Sequence, residues 1–281
     1  MSPRTFVALL RPRQWLKNLM LFFPPFLSGS LFHPGMALHG IVPFAAFCCA
    51  SSATYLFNDI RDREQDARHP QKRLRPLASG AVSPRAAMLL SALLAASGGM
   101  LAWQASHLVF LYLLLYLLVS VAYSLLLKHL VIVDIFCISL GFVLRLYGGG
   151  AAFGVYISDW LFLSVFLLSV FLSVGKRYSE RRNLGAAAGE HRPTLEEYPD
   201  GFLESALYLS GASVLVTYAM YAISRPLLVY TVPLCLYGLL RYLLRIKSGG
   251  EGDPTDALLR DGSLLVIGIL WALLVGLSVY R

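Results

Sequence analysis

Charge is scarce in this sequence. Asp, Glu, Lys and Arg make up 14% of its 281 residues, against about 25% in an ordinary soluble domain. A chain whose residues are 57% hydrophobic cannot cover a soluble surface, so composition argues for one integral membrane domain, residues 1–281. Cysteine is equally uninformative about chemistry. Cys48, Cys49, Cys137 and Cys235 all lie in apolar stretches, with no CxxC pair and no histidine cluster, which excludes a zinc site and a disulfide framework. No GxxxxGK[ST] loop occurs, which argues against an ATPase. The opening MSPRTFVALLRPRQWLKNLM has bases throughout and no small-residue cleavage site after it, so its first apolar segment is expected to be retained. The formal charge of +8 comes with no nucleic-acid module, and no nucleic-acid partner is expected.

Long apolar runs are abundant. They read as nine transmembrane helices, at about 15–33, 37–57, 84–104, 107–127, 130–152, 158–175, 203–223, 226–246 and 264–281, since about twenty residues cross the hydrocarbon core. Pro24 and Pro25 interrupt the first. Only a few residues separate the third and fourth, which predicts a hairpin. Of the 24 Lys and Arg, all but Arg145, Arg225 and Arg281 fall at the N-terminus or in alternate loops. The positive-inside rule then places the N-terminus and those loops in the cytoplasm and the C-terminus on the opposite side.

One polar loop carries a pattern that surface solvation does not require. In NDIRDREQDARHPQKRLRPLASG, Asp59, Asp62 and Asp66 stand at i, i+3 and i+7 beside Asn58. On a helix this is one narrow face. Three carboxylates there repel each other unless a cation lies among them, and Mg2+ takes oxygen ligands while sharing substrate phosphates. Asn58, Asp59, Asp62 and Asp66 are therefore the metal candidates. The helix should stop near His69, before Pro70. Lys72, Arg73 and Arg75 follow as candidate contacts to a diphosphate leaving group. The competing account is a solvated helix extension.

With its flanking KRLRPLASG, this stretch resembles the NDxxDxxxD motif of the UbiA superfamily of intramembrane prenyltransferases. The resemblance implies an all-α polytopic bundle of nine helices around a cavity, with Mg2+ holding a diphosphate substrate. Members usually carry a second acidic motif between helices six and seven, where this chain has VGKRYSERRNLG, with Lys176, Arg177 and Glu180. That departure resembles the decaprenyl-phosphate phosphoribosyltransferase branch, as do RPRQWLKNLMLFFPP, with Lys17, and YSLLLKHLVIVDIF, with Lys128 and Asp134. The branch implies 5-phosphoribose diphosphate (PRPP) as donor, a polyprenyl phosphate as acceptor, and a bacterial-type cell membrane. No acidic PRPP loop of the soluble phosphoribosyltransferases is present. Lys176, Arg177 and Glu180 become donor-positioning candidates, and Lys17 or Lys128 candidates to draw the lipid phosphate in, with Lys17 counted among the catalytic residues. Asp134 is expected to meet Lys128 or Lys176, and Arg145 to snorkel or pair across the bundle. Asp253, Asp256 and Asp261 read as helix caps or counter-charges, and His69, His129 and His191 carry no assignment. The alternatives are polyprenyl transfer to an aromatic acceptor and a non-catalytic lipid binder or transporter. Oligomerisation is left unassigned.

Overall fold

The computed structural model describes residues 3–68, 72–185, 189, 194–225 and 227–281. The helix stop expected at His69 and Pro70, together with His191 and Arg192, lies outside them. Among the described residues there is no strand. Eight helices are long and apolar enough to cross a membrane, which makes the chain a multi-pass membrane protein. In chain order the elements are α1 (Pro3–Leu10), a 3-10 segment (Pro12–Phe22), α2 (Phe23–Leu27), α3 (Met36–His39), α4 (Ile41–Arg61) and α5 (Arg63–Arg68). There follow α6 (Pro84–Ala105), α7 (His107–Leu125), α8 (Val133–Phe153), α9 (Asp159–Leu184) and α10 (Thr194–Glu197). The chain closes with α11 (Phe202–Ile223), α12 (Val232–Lys247), α13 (Pro254–Arg260) and α14 (Gly262–Val279).

The expected count of nine helices needs correction. The first span is an 11-residue 3-10 segment followed by five α-helical residues. At about 2.0 Å per residue a 3-10 helix gains length faster than an α-helix, so a short stretch covers much of the bundle. Its start lies at the aspartate end, where Arg11 meets Asp59. Its far end packs Phe22 on Phe153, and the Leu27 carbonyl accepts from Arg225. Tyr280 donates to the Pro25 carbonyl at that same far end. The two termini therefore sit at opposite ends of the bundle.

Local chemistry fixes most boundaries. Ser83 caps α6 ahead of Pro84, and Ser158 caps α9 through the Leu161 amide. Ser106 alone separates α6 from α7 and caps the latter through the Val109 amide, so the hairpin is tight. Helix α9 runs to Leu184, nine residues beyond the expected end at 175. Lys176, Arg177 and Glu180 thus lie on a helix that stops at Gly185, φ +53°.

Glycines permit the closest approaches. A Cβ on Gly98 of α6 would lie 2.9 Å from the Ala46 carbonyl oxygen of α4, and one on Gly149 of α8 would lie 2.2 Å from the Leu21 carbonyl oxygen. The 3-10 segment is therefore seated directly on the α8 backbone. Irregular backbone at membrane depth needs such cover, because no water is there to satisfy it. By contrast α14 buries only Leu264 and Val275 and presents apolar side chains outward, as a lipid-facing helix does.

Candidate active site

Two helices joined by a turn bring the acidic motif into the bundle. Helix α4 ends at Arg61, the chain turns at Asp62, and α5 restarts at Arg63. That break modifies the single face expected from spacing. Asp59 and Asp66 are buried and share one guanidinium, Arg75 Nη1, at 3.1 and 2.6 Å. Asp59 also accepts from Arg11 Nη2 on both oxygens, each at 2.6 Å. Asp62 turns instead toward the 3-10 turn Leu127–His129 after α7, where it pairs with Lys128, and it accepts from Asn58 Nδ2 at 2.9 Å. Ser124 donates to Asn58 Oδ1 at 3.2 Å, which fixes the amide. Arg11 adopts a left-handed conformation, φ 52° and ψ 58°, at a cost of about 1 kcal/mol.

No three His, Cys, Asp or Glu side chains converge as a metal cage among the described residues. The donor set nevertheless suits Mg2+. This ion rarely takes an all-protein cage, using one or two carboxylates and completing its shell with water and phosphate oxygens. Arg75 already shows that Asp59 and Asp66 can share one cation.

A second charged group faces the first. Lys17 from the 3-10 segment and Lys176 from α9 both approach Asp253 Oδ2, at 3.4 and 3.9 Å. The Gly250–Asp253 loop reaches them by lying flat on α9. A Cβ on Gly252 would sit 2.7 Å from the Lys176 Cα, while Ser179 donates to the Gly250 carbonyl and Tyr242 to the Gly252 carbonyl, both at 2.8 Å. Asp253 also caps α13 through the Thr255 and Asp256 amides. Burial works against its charge, yet Lys17, Lys176 and those amides hold its carboxyl below the usual carboxylate range. Two lysines converge on this carboxylate, and Glu180 also lies in electrostatic reach of Lys176.

Arg177 and Asp134 turn out to be supports. Arg177 Nε donates to Asp134 Oδ2 at 2.7 Å, with side chains 1% and 0% exposed. Asp134 therefore meets Arg177, and both side chains of the pair are buried. Arg177 also donates to Glu180 at 2.6 Å and to the Tyr123 hydroxyl at 3.2 Å. Tyr198 donates to Asp134 Oδ1 at 3.1 Å; burial, with the Asp134 charge beside it, pushes that phenol up to about 12, so it stays a donor. Held in this way, Glu180 lies in electrostatic reach of Lys72, which is also near Asp66 and Asp62. Arg73 is exposed and makes none of these contacts.

This constellation joins bases and carboxylates from the first segment, α4, α5, the turn after α7, α9 and the loop before α13. The family model for the UbiA prenyltransferase family matches residues 22–267. The chain belongs to the UbiA prenyltransferase family. Among UbiA-family relatives, it is 32% identical to decaprenyl-phosphate phosphoribosyltransferase of Mycolicibacterium smegmatis, covering 98% of this chain and 92% of that one. The enzyme of the same name from Mycobacterium tuberculosis is also 32% identical, over 97% of this chain and 93% of its own length. A UbiA homolog from Archaeoglobus fulgidus bound to GPP and Mg2+ shares the fold, with TM-score 0.75 at 24% identity, covering 98% and 99% of the two chains.

Sequence reasoning about this UbiA-family chain missed two site members. Arg11 was visible as one of several N-terminal bases, but nothing local distinguishes it from Arg13. Asp253 was read as a cap or counter-charge and is both; which bases it meets depends on a loop folded across α9.

Proposed function

We propose that the chain transfers a 5-phosphoribosyl group from PRPP to a polyprenyl phosphate and releases diphosphate. The observation that carries this reading is the presence of two separate cationic stations. Arg11, Arg75, Lys72 and Lys128 stand among the three aspartates, while the Lys17 and Lys176 amines converge at Asp253. A prenyl diphosphate with an aromatic acid acceptor brings one diphosphate and one carboxylate. PRPP with a lipid phosphate brings a diphosphate and two monoesters, which uses the second station. The names of the mycobacterial relatives support the same substrates.

In this reading Asn58, Asp59, Asp62 and Asp66 hold Mg2+, which supplies positive charge to the leaving diphosphate. Lys72 and Arg75 stabilise the same leaving group. Lys17 and Lys176 hold the lipid phosphate, whose anionic oxygen attacks ribose C1. A new C1–O bond forms as the bond from C1 to the diphosphate oxygen breaks, and its electron pair leaves on diphosphate. No proton must be removed, so placement governs the rate. The bases cluster on the face that the positive-inside rule puts in the cytoplasm of a bacterial-type inner membrane, and the acceptor enters from the surrounding lipid.

The test is turnover of the purified chain in detergent with Mg2+, PRPP and polyprenyl phosphate. Phosphoribosylated lipid and diphosphate should appear, and EDTA should abolish both. Transfer from polyprenyl diphosphate to an aromatic acid, with no product from PRPP, would replace this reading by the aromatic prenyltransferase one.

The pH profile adds a check. Burial pulls the Lys72 amine below its usual range despite the nearby Glu180, Asp66 and Asp62 carboxylates. A lysine with a lowered pKa loses its proton, and its hold on phosphate, earlier as pH rises. The KM for PRPP should therefore climb on the alkaline side well before a free lysine would titrate. Lys72→Arg should move that limb upward, because guanidinium stays protonated; an unmoved limb would remove Lys72 from the donor site.

A further inference from the structure

Arg145 is a puzzle the mechanism leaves over. It lies in α8, eleven residues deeper than Asp134, or about 16.5 Å along the helix. It is buried, 5% exposed, and every hydrogen-bond partner among the described residues is neutral. Nε donates to Asn18 Oδ1 at 2.7 Å, Nη1 to the Gly141 carbonyl at 2.8 Å, and Nη2 to the Tyr116 hydroxyl at 3.0 Å. The guanidinium also lies over the Tyr116 ring, 4.4 Å from its centroid. An ionised group inside a membrane bundle with no carboxylate partner calls for a functional account.

The 3-10 segment provides one. At three residues per turn, side chains at i and i+3 eclipse, and runs beyond three or four residues are uncommon. The 11-residue segment sorts its side chains accordingly. Gln14 and Lys17 form one edge, which Arg11 continues. Along it Arg11 meets Asp59, Gln14 accepts from the Tyr55 hydroxyl at 3.2 Å, and Lys17 meets Asp253. Trp15, Asn18 and Leu21 form the second edge. Trp15 donates to Ser52 at 2.9 Å, Asn18 bonds Ser51 and Arg145, and Leu21 packs at Gly149. Arg13, Leu16 and Leu19 form an exposed third edge. At an α-helical 100° per residue, Gln14 and Lys17 would point about 60° apart. The 3-10 form aligns them on one edge and directs Lys17 toward Asp253, while Arg11 precedes the segment in its left-handed conformation.

We infer that Arg145 is a positioning residue for the acceptor phosphate: by holding Asn18 it keeps the segment in 3-10 register and turns the neighbouring Lys17 toward Asp253 and Lys176. This rests on the phosphoribosyl-transfer reading above. Arg145 touches no substrate itself, and its charge serves to fasten irregular backbone at a depth where water cannot.

The experiment is steady-state kinetics with PRPP and polyprenyl phosphate on the wild type, Lys17→Ala, Arg145→Gln, Asn18→Ala and the double variant Lys17→Ala/Arg145→Gln. Thermal unfolding in detergent is followed in parallel. Arg145→Gln and Asn18→Ala should each raise the KM for polyprenyl phosphate by about tenfold, the scale of one charge-assisted hydrogen bond, and leave the KM for PRPP unchanged. The double variant should be no worse than Lys17→Ala, because both changes remove the same contact. If Arg145→Gln fails to insert, Asn18→Ala carries the same test with the arginine in place. Equal rises in both KM values, or multiplying defects in the double variant, would overturn the inference. A wild type that does not use PRPP would instead overturn the parent reading.

Discussion

Asp59→Asn is expected to lower kcat by about a thousandfold, the scale of losing a principal electrostatic contact to charge that develops in the transition state. Asp59 is the most heavily engaged of the three aspartates, held by Arg11 and Arg75 at once. The amide keeps the shape but removes the charge, and it turns an N–H2 toward two guanidinium groups that are themselves donors only. Arg11 would then lose its anchor, Arg75 would keep only Asp66, and the oxygen set for Mg2+ would lose a charged member. The check is an initial-rate titration with Mg2+, with Asp200→Asn, a fully exposed carboxylate paired only to Arg181, as control. The control should stay within experimental error of wild type. An Asp59→Asn enzyme with wild-type kcat and unchanged Mg2+ dependence would move the diphosphate site elsewhere.

The second large effect falls on stability. Arg177→Leu should destabilise the protein by about 3–5 kcal/mol, since it strands Asp134 as a buried charge without its ion partner. The loss is a lower unfolding midpoint in detergent, together with weaker catalysis, because Glu180 loses the group that holds it near Lys72. Replacing both partners, Arg177→Leu with Asp134→Leu, should recover part of the midpoint, since the penalty comes mainly from the unpaired charge. The double variant should not recover activity. A single variant as stable as wild type would mean that the pair is solvated and open to substrate, in line with the sequence-based expectation that Arg177 positions the donor.

These two effects mark where sequence was sufficient. Apolar runs of about twenty residues have few structural options in lipid, so eight of the nine expected spans and the α6–α7 hairpin were legible from hydropathy. The NDxxDxxxD spacing pointed to the acidic site, because like charges repeated on one helical face need a reason. The first segment was not legible. Its apolar content reads as a helix, and nothing in RPRQWLKNLMLF specifies three residues per turn.

Tertiary structure decided that segment, since its 3-10 form is matched to Gly149 and Arg145, more than a hundred residues away in the chain. The same holds for the partners of the charged residues. The continued α9 keeps Glu180 in reach of Lys176 and also hydrogen-bonds it to Arg177, while Asp253 approaches Lys176 from far along the chain. Within a helix, geometry is periodic and local, so sequence determines which residues share a face. Between helices a charge pairs with whatever the packing brings within a few ångströms, and only the folded bundle sets that distance.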